Sequence, residues 1–273
     1  MNNLHRELAP ISDAAWTQIE GEVTRTFKRH LAGRRVVDVH GPSGVGLSAV
    51  GTGHLRDVAT PGDGIVARQR EVKALVELRV PFDLDRQAID DVDRGANDPD
   101  WEPAKIAARR LAFAEDGAIF EGYSAAGIEG IRTASSNPAV PLPADVRAYP
   151  DAFAQALSRL RLQGVNGPYA AVLDANIYTA LSETSDHGHP VLEHVKRLVG
   201  DKIIWAPAIR GAFVLTTRGG DFDLHLGQDV SIGYLRHSDS SVTLYLQESL
   251  TFLSLTSEAA VALSSSSKPP KKG

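Results

Sequence analysis

Five stretches of the sequence carry residue types that could do chemistry. Gly41-Pro42-Ser43-Gly44-Val45-Gly46-Leu47-Ser48 has the glycine spacing and final hydroxyl of a phosphate-cradling loop. Such a loop needs a lysine to reach the phosphates, and Leu47 stands in that place. No obvious helix follows, so the stretch reads as a glycine-rich turn. Gly122-Tyr123-Ser124-Ala125-Ala126 has the outline of a nucleophile elbow, with alanine in the last glycine position. That device lifts its serine between a strand and a helix, whereas a helical pattern precedes Gly122. Asp186-His187-Gly188-His189-Pro190, with Glu193 and His194 beyond, is the one local histidine cluster. Imidazoles so spaced hold zinc or iron if a carboxylate closes the site. Gly188 and Pro190 make this a surface loop, where solvated histidines are the plainer reading and a pore lining is compatible with it. Asp90, Asp91 and Asp93 fall on a short helical segment, Glu115 and Asp116 on a longer one. Adjacent carboxylates on a helix point apart, so both sets read as solvated faces or subunit contacts. There is no cysteine, which removes disulfides, thiolate metal sites and thiol nucleophiles together. The expectation is that the protein is not an enzyme and holds no metal. The alternative is a hydrolase or bacteriocin-like activity resting on Ser124 or on the His187/His189 loop.

Composition narrows the partners. The 273 residues are 42% hydrophobic and 23% charged, with a formal net charge of -5. That balance offers no basic face for nucleic acid. No run approaches the roughly 20 apolar residues of a membrane span. The N-terminal stretch Met1-Asn2-Asn3-Leu4-His5-Arg6-Glu7 carries charge where a signal peptide needs an apolar core. A soluble, cytoplasmic protein without nucleic-acid or membrane partners is expected.

The elements that must position these residues follow from pattern. Ser12 is a helix cap, and Trp16, Ile19, Val23, Phe27 and Leu31 form one apolar stripe at helical spacing, stopped by Gly33. Val36-Val37-Asp38-Val39 reads as a strand. Residues 54–60 and 65–80 read as two charge-rich β arms around the turn Pro61-Gly62-Asp63-Gly64. Both faces of the arms are polar, so they lack a local core and invite pairing with another chain. A helix opens at Pro103, with Ile106, Arg110, Phe113, Gly117 and Phe120 along one side, and Gly122 ends it. Prolines 138, 141 and 143 make 133–143 a loop and the best domain boundary. Helix and strand then alternate: helices over 151–162, 176–181 and 191–199, strands over 169–173, 203–205 and 212–217. Residues 222–261 are almost wholly β, and 264–273, rich in serine, proline and lysine, read as disordered.

The whole-chain pattern resembles the encapsulins, the linocin-like shell proteins of bacterial nanocompartments, especially actinobacterial and mycobacterial members. The resemblance rests on Leu8-Ala9-Pro10-Ile11, Gly33-Arg34-Arg35-Val36-Val37-Asp38-Val39, Phe120-Glu121-Gly122-Tyr123, Arg218-Gly219-Gly220-Asp221-Phe222 and Gly227-Gln228-Asp229-Val230-Ser231-Ile232-Gly233-Tyr234. It implies an α+β, tailed-phage major capsid protein-like fold. Its parts would be the N-terminal helix and start of a peripheral domain (1–53), an extended loop (54–80), the peripheral domain with its spine helix (81–137), an axial domain (138–222), a return through the peripheral domain (223–263) and the tail (264–273).

It also implies a closed icosahedral shell of about 60 copies, built on heterologous contacts whose rotation closes. The shell would enclose cargo bearing a C-terminal targeting peptide, a dye-decolorizing peroxidase or a ferritin-like protein, serving oxidative-stress defence or iron storage. Carried over residue by residue, the cargo-peptide pocket would comprise Phe27, Leu31, Arg34, Val36, Asp38 and Ile232. Phe27 and Leu31 could equally be core; Arg34 and Asp38 would pair with charges on the peptide, so Arg34→Glu or Asp38→Arg is expected to spare assembly and weaken loading. Asp186, His187 and His189 would ring the five-fold pore. Some encapsulins bind flavin beside a tryptophan near Asp85-Arg86-Gln87. None stands there, so no flavin or other cofactor is expected.

Overall fold

The computed structural model describes residues 3–265. In chain order, α1 (Asp13–His30) leads through β1 (Asp38–His40) to the hairpin β2 (Ala49–Asp57) and β3 (Arg68–Ala74). β4 (Val76–Asp85), α2 (Arg86–Asp93) and the long α3 (Glu102–Phe120) follow, then α4 (Ile131–Ala134) and β5 (Val140–Leu142). Next come α5 (Tyr149–Leu162), β6 (Tyr169–Leu173), α6 (Ala175–Glu183), a small hairpin of β7 (Ser185–Asp186) and β8 (His189–Pro190), α7 (Val191–Val199), β9 (Ile203–Trp205) and β10 (Ala212–Thr216). β11 (Phe222–Leu226), β12 (Ser231–His237), β13 (Ser241–Ser254) and β14 (Ala260–Ser265) complete the chain.

These strands make two large sheets. In the first, β13 is the long central strand: β4 pairs antiparallel along one side, β12 and β11 along the other, and β1 lies parallel outside β11. The second runs β5-β14-β10-β6-β9. One face of the first sheet buries Phe82, Leu84, Leu244 and Leu246 against α1 and α3. The second packs Phe153, Leu157 and Leu160 of α5 and Val195 of α7. A third cluster around Phe120, Phe213, Phe222 and Phe252 joins the two. Each large apolar side chain fully buried there stabilises by about 1.5–3 kcal/mol.

The local chemistry explains the elements nearest the site. The Ser12 hydroxyl accepts the Ala15 amide at 3.3 Å and caps α1. Asp13 in the first turn and Lys28, Arg29 and His30 in the last oppose the helix dipole. Trp16, Ile19, Val23 and Phe27 are buried as one stripe. The helix closes at His30, before the expected stop, and Gly33 instead opens a single 3-10 turn pressed on α3. A β-carbon on Gly33 would collide with Ile119 and come 3.1 Å from Asp116 Oδ1, so only glycine lets the turn approach this closely.

Four expectations change. The second β arm is cut at Leu75: β3 completes a two-stranded hairpin with β2, while Val76–Asp85 leaves to pair with β13. The buried face of α3 is Ala104, Ala107, Ala108, Leu111, Ala112, Glu115 and Asp116; Arg110 is exposed and Ile106 and Phe113 are half-buried. Val140–Leu142, expected as loop, is a strand because it finds the edge of β14. β14, expected with the returning segment, joins the second sheet, and Ser264 and Ser265, expected in the tail, are its last residues. The disorder expected for 266–273 lies outside the described residues.

Candidate functional site

The last turn of α1, the Gly33–Arg35 turn and the approach to β12 enclose a cavity of about 250 Å³ lined by Thr24, Phe27, Leu31, Arg34, Asp229 and Val230. Its apolar wall is the end of the α1 stripe: Phe27 and Leu31 are both nearly covered, yet each presents an edge to the cavity. Phe27 and Leu31 are thus core side chains whose edges also line this cavity. Arg34 forms the polar corner, its guanidinium 5.3 Å from the Phe27 ring centroid.

Arg34 is committed inward. Its Nε donates to Glu115 Oε1 at 2.9 Å and its Nη2 to Glu115 Oε2 at 2.6 Å, a two-pronged pair. Nη1 meets Asp229 Oδ1 at 2.8 Å, and Nη2 lies 3.5 Å from Glu248 Oε2. Burial alone would lower the Arg34 pKa, but the bonds and charges of Glu115 and Asp229 outweigh it and hold it above the ordinary value. Both Glu248 oxygens are buried without a hydrogen-bond partner among the described residues. Burial first, then the charge and contact of Glu115, push Glu248 well above the usual carboxylate range. A protonated Glu248 can donate to Glu115, which is how two buried acids share one cation.

Beside them, Asp116 accepts the Ala32 amide at 2.9 Å and the Gly33 amide at 2.7 Å. Burial pushes it up to about 7 against the pull of those amides, and Glu115 adds to the rise. Glu115, Asp116 and Glu248 are therefore the main residues that the sequence reading missed. Both helix acids are fully buried, not solvated or in contact with another subunit. A signal existed: positions 115 and 116 continue, at steps of three and four, the small-residue face that begins at Ala104.

The other expected pocket residues disperse. Ile232 is buried and lines a neighbouring cavity of about 240 Å³ that shares Thr24 and Val230 with the first. Val36 and Asp38 line a third, of about 210 Å³, on the far side of Arg35. There Asp38 Oδ2 accepts the Gly220 amide at 2.5 Å, which ties β1 to the turn before β11.

The catalytic candidates do not assemble. The Ser43 and Gly44 amides donate to Leu226 O and Gly227 O at 3.0 and 2.7 Å, so they are spent on the first sheet and are not free for a phosphate. Ser124 sits in an exposed 3-10 turn after α3, with no base bonded to its hydroxyl among the described residues. His187 and Gly188 both have positive φ and form the turn of the β7–β8 hairpin. His187 is almost fully exposed, 3.8 Å from Asp186, and His189 is exposed as well. Among the described residues these three side chains do not converge on a common point at coordination distance.

The fold defines the class. A virus-like particle from Pyrococcus furiosus matches with a TM-score of 0.62 at 16% identity, over 90% of this chain and 98% of that one. The mature capsid of bacteriophage PhiM1 matches at 0.52 and 11% identity, over 88% of each chain. The architecture is thus that of tailed-phage capsid subunits and the shells akin to them. Sequence then narrows it. The chain belongs to the Linocin_M18 family, described as "Encapsulating protein for peroxidase", whose family model matches residues 1–251. The type 1 encapsulin shell protein of Mycobacterium tuberculosis is 64% identical over 264 residues, 97% of this chain and all of that protein. The chain is a structural shell protein, not an enzyme.

Proposed function

We propose that copies of this chain close into an icosahedral compartment that encloses a peroxidase, and that the cavity beside α1 seats the cargo's C-terminal peptide. The observation that carries assembly is the β2–β3 hairpin. It is two-stranded, packs no core of its own, and leaves Leu55, Val58, Ile65, Val66 and Val72 exposed in a single chain. Two strands alone are marginal in water, and such exposed apolar side chains mark a contact surface. A neighbouring copy supplies the missing partner. Size-exclusion and electron microscopy of the full chain test this: a closed particle of about 60 subunits is expected, and a monomer-sized species under all conditions overturns it.

For the cargo seat, the support is the apolar cleft of Phe27, Leu31 and Val230 with a charged corner. Aliphatic anchors of an extended peptide fit such a wall. Because Arg34 is engaged by Glu115 and Asp229, its part is to hold the corner in shape, and Asp38 plays no part in this cleft. A weak single seat suffices when an oligomeric cargo presents several peptides to many identical clefts. Val230→Asp should keep the shell and cut co-purification of a peptide-tagged reporter at least tenfold; undiminished loading refutes the seat. The exposed β7–β8 hairpin, with Asp186, His187 and His189 at its tip, would line the five-fold opening, where charge and width select solutes.

A further inference from the structure

A second cluster of side chains lies away from this cleft, where β1 meets β11. The parallel register sets Asp38 opposite Asp223, Val39 opposite Leu224 and His40 opposite His225. Side chains alternate faces along a strand, so His40, Asp223 and His225 share one face of the sheet. Phe222, Leu224 and Leu226 take the other and are buried in the core. His40 Nε2 lies 3.1 Å from Asp223 Oδ1, and His225 Nε2 lies 3.9 Å from Asp223 Oδ2. One ligand atom from each residue falls within 4.8 Å of the other two. The two imidazoles are stacked, their centroids 4.6 Å apart and their planes 18° from parallel.

We infer that His40, Asp223 and His225 form a binding site for a divalent transition-metal ion of the zinc type, held by two imidazoles and one carboxylate with its remaining positions open to water. Ligand bonds of about 2.0–2.2 Å place the donors of a tetrahedral ion about 3.4 Å apart. His40 Nε2 already stands close to that length from Asp223 Oδ1, and His225 Nε2, 3.9 Å from the other carboxylate oxygen Oδ2, must draw closer. The remaining edge requires the stacked rings to tilt toward each other. His40 can supply that movement, since its side chain is 49% exposed, whereas Asp223 and His225 at 21% and 20% are held by the sheet. Two fixed ligands and one mobile one make a site that is largely preformed.

The donor set decides the kind of ion. Two imidazole nitrogens and one carboxylate suit zinc, iron, copper or nickel, and a magnesium or calcium ion prefers an all-oxygen shell. One carboxylate leaves the bound dication with a single net positive charge, which open water positions on this side of the sheet can solvate. Thr251 gives a second, independent pointer. It is the register partner of His225 on β13 and so lies on the same face; it is fully buried, with a hydroxyl that has no hydrogen-bond partner among the described residues. A buried hydroxyl left unpaired is unfavourable. A metal-bound water, or the second nitrogen of a His225 ring turned toward the ion, offers that hydroxyl a partner.

Calorimetric titration of the chelator-stripped, assembled protein with Zn2+ tests the site. One ion per chain is expected, with no comparable binding of Mg2+. His40→Ala and His225→Ala should each weaken Zn2+ binding at least tenfold, since even outer partners of a metal site matter by that factor. His187→Ala should leave it unchanged. His40 is exposed, so its replacement reports on the site even if His225→Ala fails to assemble. Absence of Zn2+ binding, or binding that His40→Ala leaves intact, overturns the assignment.

Discussion

At the scale of single residues, Arg34 explains more of this molecule than any other side chain. One guanidinium serves Glu115, Asp229 and, at longer range, Glu248, while its face covers Phe27. Removing one partner of a buried charge cluster leaves the rest uncompensated, typically at a cost of about 3–5 kcal/mol. Arg34→Ala should therefore destabilise the subunit by about that much, measured by guanidinium unfolding at fixed protein concentration. Arg34→Glu, expected from sequence to spare assembly, adds an acid beside Glu115 and Glu248 and should prevent folding. Glu248→Gln makes the contrasting case. Because burial and Glu115 favour the protonated acid at this position, an amide of the same shape should change stability by less than about 1 kcal/mol. A loss as large as that of Arg34→Ala would mean that Glu248 is needed as a carboxylate.

At the scale of elements, the β2–β3 hairpin can be altered without touching the core of a single chain. Leu55 and Val66 are 54% and 79% exposed on the β2–β3 hairpin, so charging them disturbs nothing within one chain. Leu55→Asp with Val66→Asp should give a subunit with native circular dichroism that fails to form shells by electron microscopy; shells of normal yield would show that the hairpin is not the contact. Elements with a strong period were legible in the sequence. The α1 stripe, β6, α7 and β9 fall where pattern places them, because α1 and α7 carry one apolar face at helical spacing and β6 and β9 are short, wholly apolar runs. The face of α3 was misread because alanines, which carry little hydropathy signal, make most of it, and because two acids continue it. Long-range pairing was not legible. His40 and His225 meet only through the β1–β11 register, and Arg34, Glu115 and Glu248 meet only when α3 lies across β13. The resemblance to encapsulins supplied the cleft around Phe27, Leu31 and Arg34, and the geometry separates Val36 and Asp38 from it.

At the scale of the whole molecule, the buried acids tie stability to pH. Asp116 joins the turn after α1 to α3, and the charged groups around it are Glu115 on its own helix and Arg34 on the turn. Burial first, and then Glu115, raise its pKa from 3.8 to about 7, against the amides of Ala32 and Gly33 and the charge of Arg34. Between those values the folded chain keeps a proton that the unfolded chain has released. This contribution to stability is therefore full below the ordinary carboxylate range and is lost as pH rises through about 7. A rise of this size corresponds to something on the order of 4 kcal/mol across the window. Glu248, raised by burial and Glu115, acts in the same direction. His225, lowered by burial and by His40, acts in the opposite direction below its ordinary 6.5. A comparison of variants separates these contributions where a single pH profile would not. Asp116→Asn keeps an oxygen to accept the Ala32 or Gly33 amide and cannot ionise. Guanidinium unfolding at pH 5.5 and pH 8.5 should show the wild-type chain losing more stability than Asp116→Asn over that interval, so that the variant gains on the parent as pH rises. Equal losses in the two proteins would show that Asp116 stays ionised throughout, its charge held by the two amides against burial.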